Sequence, residues 1–321
     1  MKKEDLRIVY FGTPDFAVES LRRLVEGGYN VVGVVTTPDK PADRHKTRLC
    51  PSPVKAYALE HGLPLLQPEK LRDESFLNQL RLLHADLQIV VAFRMMPEVV
   101  WAMPRYGTFN LHASLLPQYR GAAPINWAII NGEKQTGVTT FFLEHDIDTG
   151  AVIDQSALPI GENDTFEDVH DRLMVIGGDL VLKTVDAILE GTVNSRPQQL
   201  PSSGELKSAP KIFRDTCRID WAAGMERVHD FVRGLSPVPA AWTMLKTANG
   251  EQMLKIFRTT KEPALHHYPV GTVLTDGNQC LKVALEGGFL NILELQLAGK
   301  KRMNVGDFLR GNKLLESASV C

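Results

Sequence analysis

The sequence predicts an α/β architecture: a doubly wound, mostly parallel sheet followed by a small antiparallel β-barrel or sheet. Three observations lead there. Short apolar runs alternate with helical patterns through the first half of the chain, the signature of a βαβ series. Those runs lack polar alternation, as strands covered on both faces do. Beyond residue 207 the runs become short, β-rich and separated by Gly, Asp and Asn turn signals.

The elements follow in order. RIVYF reads as a first strand, residues 16–26 as a helix stopped by Gly27-Gly28, and NVVGVVT as a second strand. A helix over 53–61 stands behind a Ser52 cap, another covers 73–83, and LQIVVAF is an apolar strand. GTFNLH has strand character, and TFEDVHDRLMVIGGDLVLKTVDAILEG reads as one long closing helix ended by Gly191. The polar TVNSRPQQLPSSGELKS, with two prolines and Ser-Ser-Gly, is expected to be a linker. The expected domains are therefore 1–191, a linker at 192–207, and 208–321. The last of these opens with a helix over 225–235 and continues with MLKIFRTT, VGTVLT, CLKVALEGG and FLNILELQ.

With 321 residues, 44% hydrophobic and 23% charged, the chain has the composition of a globular protein of two domains. No apolar run approaches the ~20 residues of a membrane helix, and MKKEDLRIVYFG lacks a signal-peptide pattern, so a cytoplasmic protein is expected. The four cysteines, Cys50, Cys217, Cys280 and Cys321, are isolated, as reduced thiols are. Residues 206–321 carry 16 Lys+Arg against 11 Asp+Glu, leaving 20 against 27 in residues 1–205. That split allows the rear half to face a polyanion.

Two common chemistries are disfavoured. FGTPDF offers a single glycine, and Pro14 removes an amide donor, so no dinucleotide cradle forms there. His266 and His267 are adjacent rather than at ligand spacing, and no metal is expected.

The stretch FNLHASLLPQYRGAAP is more informative. Residues two apart on a strand point to one side, so Asn110 and His112 share a face and Leu111 takes the other. Ser114, Leu115, Leu116 and Pro117 then end the strand at the carboxyl edge, where open α/β sheets bind ligands. An Asn amide and a His imidazole on one face can donate to a carbonyl oxygen as it becomes an oxyanion; equally, the ring can simply pack over a turn. Downstream, TGVTTFFLEHDIDTGAVI holds Asp146 and Asp148. Either could return a carboxylate to the sheet edge, where it would orient an imidazole and fix its tautomer, and spacing does not choose between them. Ser114 completes the residue types of a hydrolase triad but lies outside a G-x-S-x-G elbow, which argues against a nucleophile.

The loop TTPDKPADRHKTRLCPSP carries Lys40, Arg44, Lys46 and Arg48 against Asp39 and Asp43. Its length and bounding prolines predict exposure, and a basic exposed loop either neutralises phosphates or is simply solvated.

These residues together resemble a known family. FGTPDFA, PDKPA with its basic run, PSPVK, NLHASLLPQYRGAAPINWAI, TGVT and DTG in the first half are similar to the methionyl-tRNA formyltransferase family. So are SAPKI followed by RIDW, LSPVPAAW and AGKKRMNVGDFLRG in the second, and the likeness spans the chain. The Asn-x-His-x-Ser-Leu-Leu-Pro run with a downstream Asp is shared with the wider group of 10-formyltetrahydrofolate transferases and hydrolases. The resemblance implies a Rossmann-like catalytic domain followed by an OB-like barrel. The implied reaction moves a formyl group from 10-formyltetrahydrofolate to the α-amino group of methionyl initiator tRNA in translation initiation. Asn110, His112 and Asp148 would be the catalytic trio, and Ser114 to Pro117 would line the folate site. The loop bearing Lys40, Arg44, Lys46 and Arg48 would meet the tRNA acceptor stem, and the positive rear domain would hold its body. A monomer without membrane association is expected. Three positions depart from the family pattern: the loop has Asp43 and His45 where the family is richer in glycine, and Arg94 stands where a glycine is common. Hydrolysis of the same folate, or formylation of an amino-sugar nucleotide, would use the same trio; the basic loop and the AGKK segment favour tRNA.

Overall fold

The computed structural model describes residues 2–41, 49–200, 205–248, 250–312 and 318–321. Contacts divide the chain into two compact units. The first comprises Met1–Gly121, Thr136–Leu158 and His170–Ser208, and the second Ala122–Gln135, Pro159–Val169 and Ala209–Cys321.

The chain opens with β1 (Ile8–Gly12), α1 (Phe16–Glu26) and β2 (Val31–Val35). The turn between the first two brings helix and strand close: a Cβ at Gly12 would lie 2.8 Å from that of Ala17. Glycine therefore allows the close packing of helix on strand here. The short strands β3 (Lys40–Pro41) and β4 (Leu49–Cys50) pair antiparallel. Next comes α2 (Pro53–Glu60), capped by the Ser52 hydroxyl, which accepts from the Lys55 amide at 3.1 Å. Then follow β5 (Leu65–Leu66), α3 (Glu74–Leu82), β6 (Leu87–Val91), α4 (Glu98–Trp101) and β7 (Thr108–His112). After β8 (Arg120–Gly121) and α5 (Pro124–Ile130) come β9 (Gln135–Phe142), β10 (Val152–Pro159) and the long α6 (Phe166–Glu190).

The sheet order is β10-β9-β7-β6-β1-β2-β5. The inner pairs from β7 to β5 are parallel, whereas β9 runs antiparallel to β7. β1 and β6 are buried along their whole length, which is why they read as unbroken apolar runs. Phe11, Phe76, Leu80, Val90 and Val100 pack into one core cluster. The Gly-Gly pair within α6 has a packing cause. A Cβ at Gly177 would stand 2.9 Å from Leu111 Cδ2, and one at Gly178 2.8 Å from Arg23 Cδ. Leu111 thus faces the helix, and the Asn110 and His112 side chains leave the strand on the other side.

The described residues of 192–207 belong to the first unit, where Arg196 and Val152 exchange backbone hydrogen bonds of 2.8 and 2.9 Å. A Pro- and Ser-rich stretch has no periodicity to read, yet its backbone polar groups still find partners on the sheet.

The second unit follows β11 (Ser208–Ala209) with α7 (Met225–Gly234) and the strands β12 (Ala241–Thr247), β13 (Gly250–Pro263), β14 (Val273–Thr275), β15 (Leu281–Leu285) and β16 (Gly288–Leu297). β17 (Met303–Asn304), α8 (Val305–Gly311) and β18 (Ser319–Val320) complete it. The order is β14-β15-β16-β13-β12-β18, with β17 beside β16. A bridge between Thr272 and Ser319 links the two ends, so the antiparallel sheet is nearly a closed barrel. Helix α7 fills it with Val228 and Val232, against Ile256 and Leu295. α5 belongs here because it packs on α7: Asn126 Nδ2 donates to the Gly234 carbonyl at 2.8 Å.

Candidate active site

Strand β7 delivers Asn110 and His112 to one side of the carboxyl edge of the parallel sheet. Parity places both there, and the buried registers Asn110–Phe141 and His112–Thr139 with β9 hold the strand in position. Asn110 is half-buried, and among the described residues its side-chain amide makes no hydrogen bond to protein. His112 is buried. Its Nε2 lies 2.8 Å from the Tyr119 carbonyl oxygen; a carbonyl only accepts, so Nε2 carries a proton. Its Nδ1 faces Asp148 Oδ2 at 3.8 Å.

The carboxylate that meets the imidazole is Asp148, and Asp146 is not part of this arrangement. Asp146 is exposed and its carbonyl accepts from Thr149 Oγ1 at 3.0 Å, closing the turn. Asp148 is drawn back to the sheet edge by two effects. Gly150 lies flush on the end of β9, where a Cβ would be 1.7 Å from the Phe142 carbonyl oxygen. Asp148 itself has φ +55°, in the left-handed region, and its Oδ2 accepts from the Gly121 amide at 2.9 Å. The gap of 3.8 Å to His112 exceeds a hydrogen bond, so the two groups face one another without being locked together.

The run after β7 is a tied turn. Ser114 is fully buried and its hydroxyl donates to the Gln118 carbonyl at 2.7 Å, so it is not poised as a nucleophile. Thr139 Oγ1 donates to the Ser114 carbonyl at 2.6 Å and accepts from the Leu116 amide at 3.1 Å. Gln155 Nε2 donates to the Leu116 carbonyl at 2.9 Å. Leu116 is buried, while Leu115 and Pro117 are half-buried. Leu115 packs over β9, where a Cβ at Gly137 would lie 2.5 Å from its Cδ2, and Ser114 and Leu116 set the shape of the turn.

Lys40 is exposed in β3, whereas Arg44, Lys46 and Arg48 lie outside the described residues. Asp39 does not cancel the charge of Lys40. It binds Lys55 Nζ at 2.6 Å and Gln67 Nε2 at 2.9 Å, and the Lys55 bond holds its carboxyl below the usual carboxylate range. Among the described residues Arg94 forms no ion pair. Its guanidinium donates to the Glu69 carbonyl at 2.7 Å and to the Pro68 carbonyl, and lies over the Phe93 ring. It clamps the chain after β5 to the chain after β6, and burial lowers its pKa.

Several groups that shape the site were not legible in the sequence: the Tyr119 carbonyl, the Gly121 amide, Thr139, Gln155 and Gln198. Gly121 and Tyr119 sit in the same RGAAP-bearing stretch as Asn110 and His112, so proximity along the chain pointed towards them. Gln198 has no local signal at all.

Residues 6–185 match the family model for formyl transferase and residues 211–313 that for the formyl transferase C-terminal domain. A methionyl-tRNA formyltransferase of Parabacteroides distasonis is 62% identical over 323 residues, covering 100% of both chains. One from Bacteroides fragilis is 64% identical over 320 residues, covering 99% of this chain and 98% of its own. Among solved structures, the sugar 3N-formyl transferase WlaRD, crystallised with dTDP and 5-N-formyl-THF, superposes with a TM-score of 0.64 at 20% identity, covering 92% of this chain and 99% of that one. An N-formyltransferase of Helicobacter canadensis in complex with folinic acid and dTDP-3-aminofucose gives 0.63 at 19%, covering 93% and 100%. At these identities the structural likeness speaks for the shared fold, a Rossmann-like sheet domain followed by a barrel. With both of its domains matched and with relatives this similar over its whole length, the chain belongs to the formyl transferase family.

Proposed function

We propose that the protein transfers the formyl group of 10-formyltetrahydrofolate to the α-amino group of methionine carried by initiator tRNA. The observation that carries this reading is the facing of His112 Nδ1 and Asp148 Oδ2 across 3.8 Å, beside the free amide of Asn110. The relatives named above, alike over the full length, supply the acceptor.

The co-substrate supplies a formyl carbonyl at N10. Asn110 donates its amide to the formyl oxygen as negative charge develops there, the use for which pre-aimed donors are most effective. His112, already protonated at Nε2 for Tyr119, becomes an imidazolium when Nδ1 also binds a proton, and donates to the same oxygen. The amine nitrogen bonds to the formyl carbon, and Asp148, directly or through a water, takes the proton that the amine releases. Collapse of the oxyanion then breaks the bond to N10, which receives a proton and leaves as tetrahydrofolate. No enzyme nucleophile is required, in keeping with a Ser114 hydroxyl engaged inside its own turn. Leu115 and Pro117 flank the folate, with Ser114 and Leu116 beneath them. The nearly closed rear barrel, read as OB-like, and the loop from Lys40 through Arg44, Lys46 and Arg48 hold the tRNA by its phosphates. The working domains are residues 1–191 and 208–321, and the protein acts as a cytoplasmic monomer.

The test is direct. The protein is incubated with 10-formyltetrahydrofolate and either methionyl-tRNA or no acceptor, and the formyl group is followed. Formyl-methionyl-tRNA is the expected product, with affinity for tRNA falling steeply with salt. Formate release indifferent to tRNA, or preference for an amino-sugar nucleotide, would overturn the proposal.

A further inference from the structure

We propose that Gln198 is a positioning residue for the reaction, setting the placement of the Asp148 carboxylate; this rests on the role of Asp148 proposed above. Gln198 lies in the stretch whose composition reads as a linker, 50 residues from Asp148 in the chain. Its side chain nevertheless spans the site turn. Nε2 donates to the Asp148 carbonyl at 2.8 Å and to the Gly150 carbonyl at 3.0 Å. Oε1 accepts from Arg120 Nε at 3.1 Å and from Arg120 Nη2 at 2.6 Å. Both amide protons and both acceptor directions of the side chain are therefore engaged, each with a partner in one of the two segments that build the site.

The consequence is geometric. Asp148 is held on one side by the Gly121 amide, 2.9 Å from Oδ2, and Arg120 is the residue before that amide. Gln198 ties Arg120 to the Asp148 backbone, so the carboxylate and its amide donor are positioned as one piece. Asp148 has φ +55°, a conformation that a residue with a Cβ keeps only where the surroundings determine it. Among the described residues, Gln198 is the side chain that holds both carbonyls of the Asp148–Gly150 turn. It is itself anchored two residues earlier, where Arg196 pairs with Val152. Without it, the loop keeps the Gly121 contact but loses the fixed distance between the carboxylate and His112. Displacement of a reacting group by about 1 Å can lower turnover on the order of 10²-fold.

The experiment compares Gln198→Ala, Gln198→Glu, Asp148→Asn and the Gln198→Ala/Asp148→Asn double variant in formyl transfer, with thermal unfolding of each. Gln198→Ala is expected to lower kcat by about tenfold or more, with KM for both substrates within about twofold because no contact to either is removed. Gln198→Glu keeps the acceptor for Arg120 but turns a carboxylate towards two carbonyl oxygens. It is expected to lose at least as much kcat while remaining folded, which separates aiming of the turn from tethering of Arg120. In the Asp148→Asn background Gln198→Ala is expected to add less than about threefold, as residues acting through one group do. Wild-type kcat in Gln198→Ala beside an impaired Asp148→Asn overturns this proposal and leaves the site reading standing, as does a loss that multiplies independently of Asp148. Full activity of Asp148→Asn overturns both.

Discussion

The carboxyl edge of the first unit's sheet and the seam between α7 and β13 in the second unit each bury a histidine, and the two are partnered in opposite ways. His229 is 2% exposed and His112 6%, so burial does not distinguish them. Their partners do. His229 Nδ1 meets the Thr259 hydroxyl at 2.9 Å and its Nε2 faces the Glu162 carbonyl at 3.3 Å. Both nitrogens are satisfied by neutral groups, and burial, ahead of the nearby Arg233 and Lys261, pushes its pKa below the ordinary 6.5. It is a neutral strut pinning residue 162 to the barrel. His112 has one nitrogen fixed by the Tyr119 carbonyl and the other turned towards a carboxylate beyond bonding distance. A histidine with an unfilled position opposite a charge is available for chemistry; one with both positions filled is packing.

The contrast breaks most sharply on substitution. His112→Ala is expected to lower turnover by on the order of 10²-fold or more while leaving a folded protein, checked by formyl transfer alongside circular dichroism. Near-normal activity would remove His112 from the reaction. His229→Ala should behave the other way. We expect a loss of stability of about 2 kcal/mol in denaturant unfolding, with the folded fraction as active as the parent. An equal loss of kcat without a stability change would reverse the assignment of the two histidines.

Gly150→Ala sharpens the comparison at the edge. Its Cβ would meet the Phe142 carbonyl oxygen at 1.7 Å, displacing the turn that carries Asp148. A drop in kcat of about tenfold is expected, measurable against an unchanged KM for tRNA.

The smallest expected effect is in pH. The folded-state pKa of His229 is lowered from 6.5, so below 6.5 the unfolded chain binds the proton that the native state resists. Stability therefore rises with pH across that window and is lost as pH falls from 6.5 towards the lowered value. Carboxylates such as Glu162 and Glu262 are lowered from 4.5 and act in a more acid range. Unfolding midpoints of the parent should decline as pH falls below about 6.5, and His229→Gln, which keeps polar atoms without the titration, should flatten that limb.

The strands β1, β6 and β7 and the helices α1, α2, α6 and α7 stand where periodicity and caps put them, because those signals are local. Ser52 and Pro53 mark the start of α2 whatever the rest of the chain does. The assignment of short inner segments by contact was less legible. Residues 122–135 and 159–169 join the rear barrel through α5 on α7 and through Glu162 on His229, contacts without any imprint on composition.

By itself, then, the sequence determined the βαβ series, the antiparallel rear half and the shared face of Asn110 and His112, because a strand's side chains alternate over a spacing of two residues. The family resemblance named Asp148 where spacing did not choose; only the tertiary structure decided how Asp148 is brought opposite the imidazole, that Nε2 is the protonated nitrogen, and that Gln198 closes the turn. Those choices rest on hydrogen bonds between residues 7, 27 and 50 apart in the chain. Such partners are brought together by packing the sheet and its loops, and no short stretch of sequence carries their address.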